Sequence, residues 1–466
     1  VVHYSEQLKR NFIWYRHLVK EADMRILIAT VPAAGHFNPL TGPAVRLAEL
    51  GHDVRWYAGP EYAARVQRLG LEVIPYKEAT EITGDNVNAL FPERRKLKGP
   101  KAIEFDADVF FARPVRAQFR DIREACAQFH FDALLIDGGF YAGYLIAKRL
   151  DVPVYVVGSI AAPSLRGKDA VTPFFGLRPP RTFVGRMINR VARAMLVSGA
   201  RKGVGTFNGY LAEEGLPSVA VEDYFDCTQQ PEIARRVFNI GLPELDFPDA
   251  YMPANAEWVG ALLPHRKAAA AALHPRITQQ SGQVIVVSQG TVDNHDPRKL
   301  MIPAIEAFAG GDRLLVVVTG GVGTDEMRSR YQRDNVLIED FVDFDLLFPH
   351  TELYVTNGGL GGVLLALSHG VPLLVAGTRE GKGDINVRLA YRGLAVDLRS
   401  ETPSASAVAR GAERVLRDMD MRDRVAAVKT ALAAYDSVGI IERELLDGLQ
   451  TPDPPKNRPV GSTDPR

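Results

Sequence analysis

Among the ten histidines of the 466-residue chain, His36 holds the position best suited to chemistry. An apolar, β-branched run from Arg25 to Thr30 passes into the small-residue segment Val31–Pro39, and His36 stands in that passage. An imidazole there can act as a base near neutral pH. Asp137 ends a second apolar run, Ala133–Asp137, and is followed by Gly138 and Gly139. A carboxylate at that point can receive an imidazole N–H, fix its tautomer and stabilise its cation. It can equally cap the helix that follows. No G-x-S-x-G elbow accompanies the pair, so hydrolysis through an acyl-enzyme has no support.

A different chemistry is written between Glu352 and Leu367. A strand ends at Thr356, the loop Asn357–Gly362 carries four glycines, and an apolar helix is expected from about Val363. Gly358, Gly359, Gly361 and Gly362 let backbone N–H groups come close to an anion, and a helix N-terminus adds partial positive charge. Together they can hold phosphate. Ser288–Thr291 forms a similar small polar turn after another apolar run, with Gly290 for close approach and the Thr291 hydroxyl as donor or as a cap. Neither a G-x-x-x-x-G-K-[ST] loop nor a G-x-G-x-x-G fingerprint after the first strand is present. ATPase and dinucleotide readings lose ground accordingly.

These residues need elements that hold them. Strand, helix and strand patterns succeed one another from Arg25 to Pro75 and resume from Ala133 to Val157. A second series runs from Gln283 through Arg313, Val336 and Glu352 to Val375. Such βα alternation means parallel sheets with right-handed crossovers. Ligands of these sheets bind at the carboxyl ends of the strands. The expected architecture is α/β, two doubly wound Rossmann-like domains facing each other across a cleft. Residues 1–23 read as an N-terminal extension and 24–265 as the first domain. Residues 266–449 read as the second domain, its last helix packing back on the first. The proline-rich residues 450–466 read as a flexible tail.

Composition narrows the partners. Lys plus Arg and Asp plus Glu both number 56, which argues against nucleic acid or an anionic membrane as the main partner. Two cysteines exclude a disulfide scaffold and a cysteine-rich metal site. No apolar run approaches the roughly 20 residues of a bilayer span, and no apolar signal core opens the chain. The expected location is the cytoplasm.

Taken together, these residues resemble glycosyltransferase family 1, the UDP-glycosyltransferases of GT-B fold, most closely bacterial enzymes acting on macrolides and other small aglycones. Phe341–Arg388 is similar to the family's donor box. There Phe341 and Val342 stand for the base platform, Asn357–Gly362 with Val363 for the diphosphate loop and its helix, and Gly290 and Thr291 for a neighbouring phosphate contact. His36 matches the family's base and Asp137 its partner. Departures touch the donor: Asn357 replaces a histidine, Phe344 a glutamine, Leu365 the ribose-binding glutamate. Gly381 and Lys382, with Glu380 before them, replace an Asp-Gln sugar reader.

The resemblance implies an inverting, metal-independent transfer from a UDP- or dTDP-sugar to a small lipophilic acceptor such as a flavonoid or macrolide, with no cofactor. Phe110, Phe111, Phe140, Tyr141, Phe174 and Phe175 would supply aromatic acceptor walls, though each also suits a core. A GT-B nucleotide-sugar epimerase or hydrolase, and a non-catalytic nucleotide-sugar-binding protein, are the alternatives.

Overall fold

The computed structural model describes residues 23–450 except 161, 168–169, 266–271, 281, 291–293 and 380. The expectations for the extension 1–23 and the tail 450–466 lie almost wholly outside the described residues. The domain boundary expected at 265/266 falls at the edge of an undescribed stretch.

Seven strands form the first sheet: β1 (Arg25–Ala29), β2 (Asp53–Ala58), β3 (Glu72–Pro75), β4 (Ala133–Asp137), β5 (Val154–Gly158), β6 (Ala234–Asn239) and β7 (Ala256–Trp258). Their spatial order is β3-β2-β1-β4-β5-β6-β7, all parallel. Six form the second: β8 (Val284–Ser288), β9 (Leu314–Val318), β10 (Val336–Glu339), β11 (Thr351–Thr356), β12 (Leu373–Val375) and β13 (Ala395–Asp397). Their order is β10-β9-β8-β11-β12-β13, also parallel. Strands β4, β5, β8 and β9 are buried along their whole length, as strands covered on both faces must be. The chain order reverses between β1 and β4 in one sheet and between β8 and β11 in the other. Those two switch points are where crevices open.

The longer helices are α1 (Ala34–Glu49), α2 (Pro60–Arg68), α3 (Pro114–Gln128), α4 (Ala142–Arg149), α5 (Phe183–Glu213), α6 (Met301–Phe308), α7 (Thr324–Tyr331), α8 (Leu360–His369), α9 (Lys382–Tyr391), α10 (Ala405–Arg417), α11 (Met419–Ala433) and α12 (Ser437–Gln450). Among the described residues no helix is long and apolar enough to cross a membrane. One apolar cluster covers one face of the first sheet and continues through the second, and another fills the first sheet's opposite face. Helix α12 packs on α1 and β6. There Arg236 Nε meets Glu444 at 2.6 Å and the Tyr155 hydroxyl donates to the Glu444 carbonyl.

Two element boundaries differ from the sequence reading, and both move a candidate residue into a helix. Helix α1 begins at Ala34, so His36 lies in its first turn rather than in a loop. Pro39 and Pro43 disguise that start: each lacks the N–H that an interior helical residue donates. Helix α8 begins at Leu360, so Gly361 and Gly362 belong to its first turn and not to the loop. Strands β6, β7 and β13 add to the series expected from the sequence. The first carries Arg235 and Arg236, and the other two are three residues long.

Candidate active site

Strand β1 delivers the chain to α1, and β4 runs beside it in register, Ala29 opposite Ile136. His36 and Asp137 therefore emerge on either side of the first switch point. His36 Nδ1 lies 2.7 Å from Asp137 Oδ1. Asp137 also accepts the Val31 N–H on Oδ2 at 2.7 Å and the Gly139 N–H on Oδ1 at 2.8 Å. Three donors thus hold a carboxylate whose side chain is only 5% exposed, whereas the imidazole remains 39% exposed. The acceptor on Nδ1 keeps the proton there and leaves Nε2 with its lone pair free to take another. Burial disfavours the imidazolium. The Asp137 charge and hydrogen bond act in the opposite direction and prevail, so the His36 pKa lies above the ordinary histidine value.

A small cavity, about large enough for one water, lies near this pair without touching it; Val31, Phe110, Phe111, Gln118, Gly139 and Phe140 are among its lining. Val31 and Gly139 are the same residues whose N–H groups bind Asp137, so the cavity wall and the pair share backbone. Of the six aromatics expected to wall the acceptor, Phe110, Phe111 and Phe140 line this cavity. Tyr141 belongs to the core: its ring packs on Phe111 and Tyr224 at 5.6 and 4.8 Å, and its hydroxyl donates to the Phe225 carbonyl. It supports the wall from behind. Phe174 stands apart, half-exposed and packed on Phe225.

On the other side, Asn357, Gly358 and Gly359 link β11 to α8. Gly358 has φ +89°, and a Cβ there would fall 1.8 Å from Asn386 Oδ1. Only glycine fits. A Cβ on Gly361 would meet nothing within 4 Å. The first intrahelical bond runs from the Val363 N–H to the Gly359 carbonyl. The N–H groups of Leu360, Gly361 and Gly362 thus precede the helical ladder and point out of its N-terminus. Asn357, expected in the diphosphate loop, spends its side chain on backbone. Its Nδ2 donates to the Gln289 carbonyl at 2.5 Å and its Oδ1 accepts from Gly359. It braces the β8 turn against the β11 turn, across the second switch point.

The remaining donor-side candidates scatter. Phe341 projects from the end of β10 with its ring over Gly321 and is 71% exposed, while Val342 is half-buried beside it. Val363 is buried and faces the core. Leu365 is buried too, so that position offers nothing to a ribose. Gly290 turns with φ +75° at the end of β8. Gly381, φ +77°, precedes α9, and Lys382 opens it. Thr291 and Glu380 lie outside the described residues. Helix α8 of the second half packs against α1 of the first.

A residue the sequence reading missed ties the two halves together. Asp384, buried in the first turn of α9, accepts the Phe174 N–H at 2.5 Å and the Gly176 N–H at 2.8 Å. Phe174 is held at φ +72°, a region that bulky side chains rarely enter. Gly176 approaches the backbone of Gly383 closely. Behind Asp384, Arg388 donates to Asp246 at 2.6 Å, again across the two halves. No local pattern could have announced Asp384, because its partners stand about two hundred residues earlier in the chain.

A family model described as UDP-glucoronosyl and UDP-glucosyl transferase matches residues 228–430. The 4'-demethylrebeccamycin synthase of Lentzea aerocolonigenes is 30% identical over 436 residues, which cover 91% of this chain and 99% of that one. The UDP-glycosyltransferase 2 of Phaeomoniella chlamydospora is 27% identical over 439 residues, 90% of this chain and 95% of its own. Among solved structures, a calicheamicin glycosyltransferase superposes with a TM-score of 0.72 at 21% identity, covering 93% of this chain and 100% of that one. That last likeness speaks to the fold, which is GT-B.

Proposed function

The chain belongs to the UDP-glycosyltransferase family and is a glycosyltransferase, and from that premise we propose that it inverts the anomeric centre of a UDP- or dTDP-sugar as it glycosylates a small lipophilic natural product. The observation that carries the reading is the 2.7 Å contact between His36 and Asp137 at the switch point of the first sheet. The acceptor hydroxyl oxygen forms a bond to the anomeric carbon, and its proton passes to His36 Nε2. The bond from that carbon to the diphosphate oxygen breaks, and the electron pair leaves with the nucleoside diphosphate. Asp137 holds the imidazolium that results. The N–H groups of Leu360, Gly361 and Gly362, with the helix dipole behind them, receive the developing charge on the leaving oxygens.

Nothing in this sequence of events calls for a metal or a resident cofactor; the nucleotide sugar is a co-substrate. The name of the rebeccamycin relative supports a natural-product acceptor. Lys382 with Glu380 would read the sugar hydroxyls. The free thiols Cys126 and Cys227 support a cytoplasmic location.

Proton NMR of the product tests the stereochemistry. An α-linked donor should yield a β-glycoside, and turnover should persist in excess EDTA. A product that retains the donor's configuration, or activity lost in EDTA and restored by magnesium, contradicts the proposal.

A further inference from the structure

The N-terminal half of α5 is an amphipathic surface that neither half of the crevice uses. Phe183, Val184, Met187, Ile188 and Val191 are exposed by 72%, 64%, 43%, 50% and 56%. At 3.6 residues per turn they occupy an arc of roughly 140°, and Arg186, Arg190 and Arg193 fill about the next 60°. The opposite side, with Ala192, Leu196 and Ala200, is buried. Five large apolar side chains on one exposed helical face exceed the scattered exposure that any protein surface shows.

This end of the helix is fixed in place. Thr182 caps it by accepting the Gly185 N–H. The Asn189 side chain bonds the Thr172 N–H and the Ala170 carbonyl. The apolar face is therefore presented by a formed helix and not by a fraying end.

Charge says what it meets. No Asp or Glu occurs between Ala170 and Ala212, whereas seven Arg or Lys do. Among the described residues Arg186, Arg190 and Arg193 make no ion pair, so three cations flank the apolar arc with no carboxylate opposite them. The chain's zero formal charge, which taken alone argues against an anionic surface, averages over this segregation. A basic, apolar-faced helix suits the boundary of an anionic bilayer, its side chains sinking to the acyl region while the guanidinium groups reach the headgroups. We infer that the first half of α5 docks the enzyme reversibly on an anionic lipid surface, lying in its plane. Because α5 follows directly on the segment carrying Phe174 and Gly176, the docked face is continuous in the chain with the junction between the two halves. Delivery of a membrane-dissolved acceptor would follow, a consequence that rests on the acceptor class proposed above; the docking itself does not.

Flotation of the full chain with vesicles tests the inference without any turnover. Equimolar phosphatidylcholine and phosphatidylglycerol should bind it at least about tenfold more tightly than phosphatidylcholine alone, and less as salt rises. Replacing three cations (Arg186→Gln, Arg190→Gln, Arg193→Gln) should weaken binding to anionic vesicles roughly 10- to 100-fold. A second variant (Phe183→Ser, Ile188→Ser, Val191→Ser) should release it similarly. Both should keep the parent's melting temperature and nucleoside diphosphate affinity, which shows that they fold. Absence of anionic preference in the parent, or binding that survives both variants, overturns the inference. So does light scattering that finds a dimer dissolved by the serine variant with no vesicle binding, for then a second copy covers the face.

Discussion

His36 and Asp137 form a pair whose roles follow from what each touches. Asp137 is saturated by two backbone N–H groups and the imidazole, so it stays in one place and keeps its charge directed at Nδ1. That charge raises the His36 pKa above the ordinary value of about 6.5. A base must be neutral to accept a proton, so kcat/KM for an alcohol should fall below a midpoint that also lies above that value. Asp137→Asn removes the charge that raises the pKa. The midpoint should then move down, and the rate on the plateau should drop by roughly 10²- to 10⁴-fold as the imidazolium loses its support. The loss should shrink for acidic phenols. A pH profile with an aliphatic alcohol decides it: an unmoved acid limb in Asp137→Asn would mean that some other group titrates.

Helix α8 and the turn before it set a glycine that the fold requires, Gly358, three residues before one that it does not, Gly361. Gly358 combines a positive φ with contact against Asn386, so Gly358→Ala costs about 1–2 kcal/mol in backbone strain before the clash is relieved. Its melting temperature should fall. Gly361 is helical, exposed and unobstructed. Gly361→Ala should be neutral or stabilising by up to about 1 kcal/mol, while its Cβ enters the space given to the diphosphate. Calorimetry with UDP and dTDP should find affinity lost in the stable Gly361→Ala protein. Undiminished affinity there would remove the diphosphate from this helix end.

Much of this element level is legible from the residues. Strands β1, β4, β8 and β11 are apolar runs closed by small or polar residues, and those closures carry His36, Asp137, Gly290 and Asn357. Legibility fails where the deciding contact is distant. The start of α1 hides behind two prolines, and β13 is too short to rise above its surroundings. Tyr141 looks like a binding aromatic until Phe111 and Tyr224 enclose it, and Asp384 gains its meaning only from Phe174 and Gly176.

At the scale of the molecule, His36 and Asp137, proposed as base and partner, stand on the first sheet, and the residues proposed for the nucleotide sugar stand on the second. Asp384 with Arg388 and Asp246 fastens one half to the other, and α12 returns to the first sheet to do the same at its far edge. The division of labour predicts a separation of effects. His36→Ala should nearly abolish transfer to an aliphatic alcohol, since a positioned base is worth typically ~10²–10⁴-fold. It should leave the nucleoside diphosphate dissociation constant unchanged, because the groups proposed for that ligand belong to the other half. Single-turnover transfer and calorimetric nucleotide binding, measured on the same His36→Ala preparation, test this most directly. The account predicts transfer lost with binding intact; full transfer to the alcohol, or loss of both together, would contradict it.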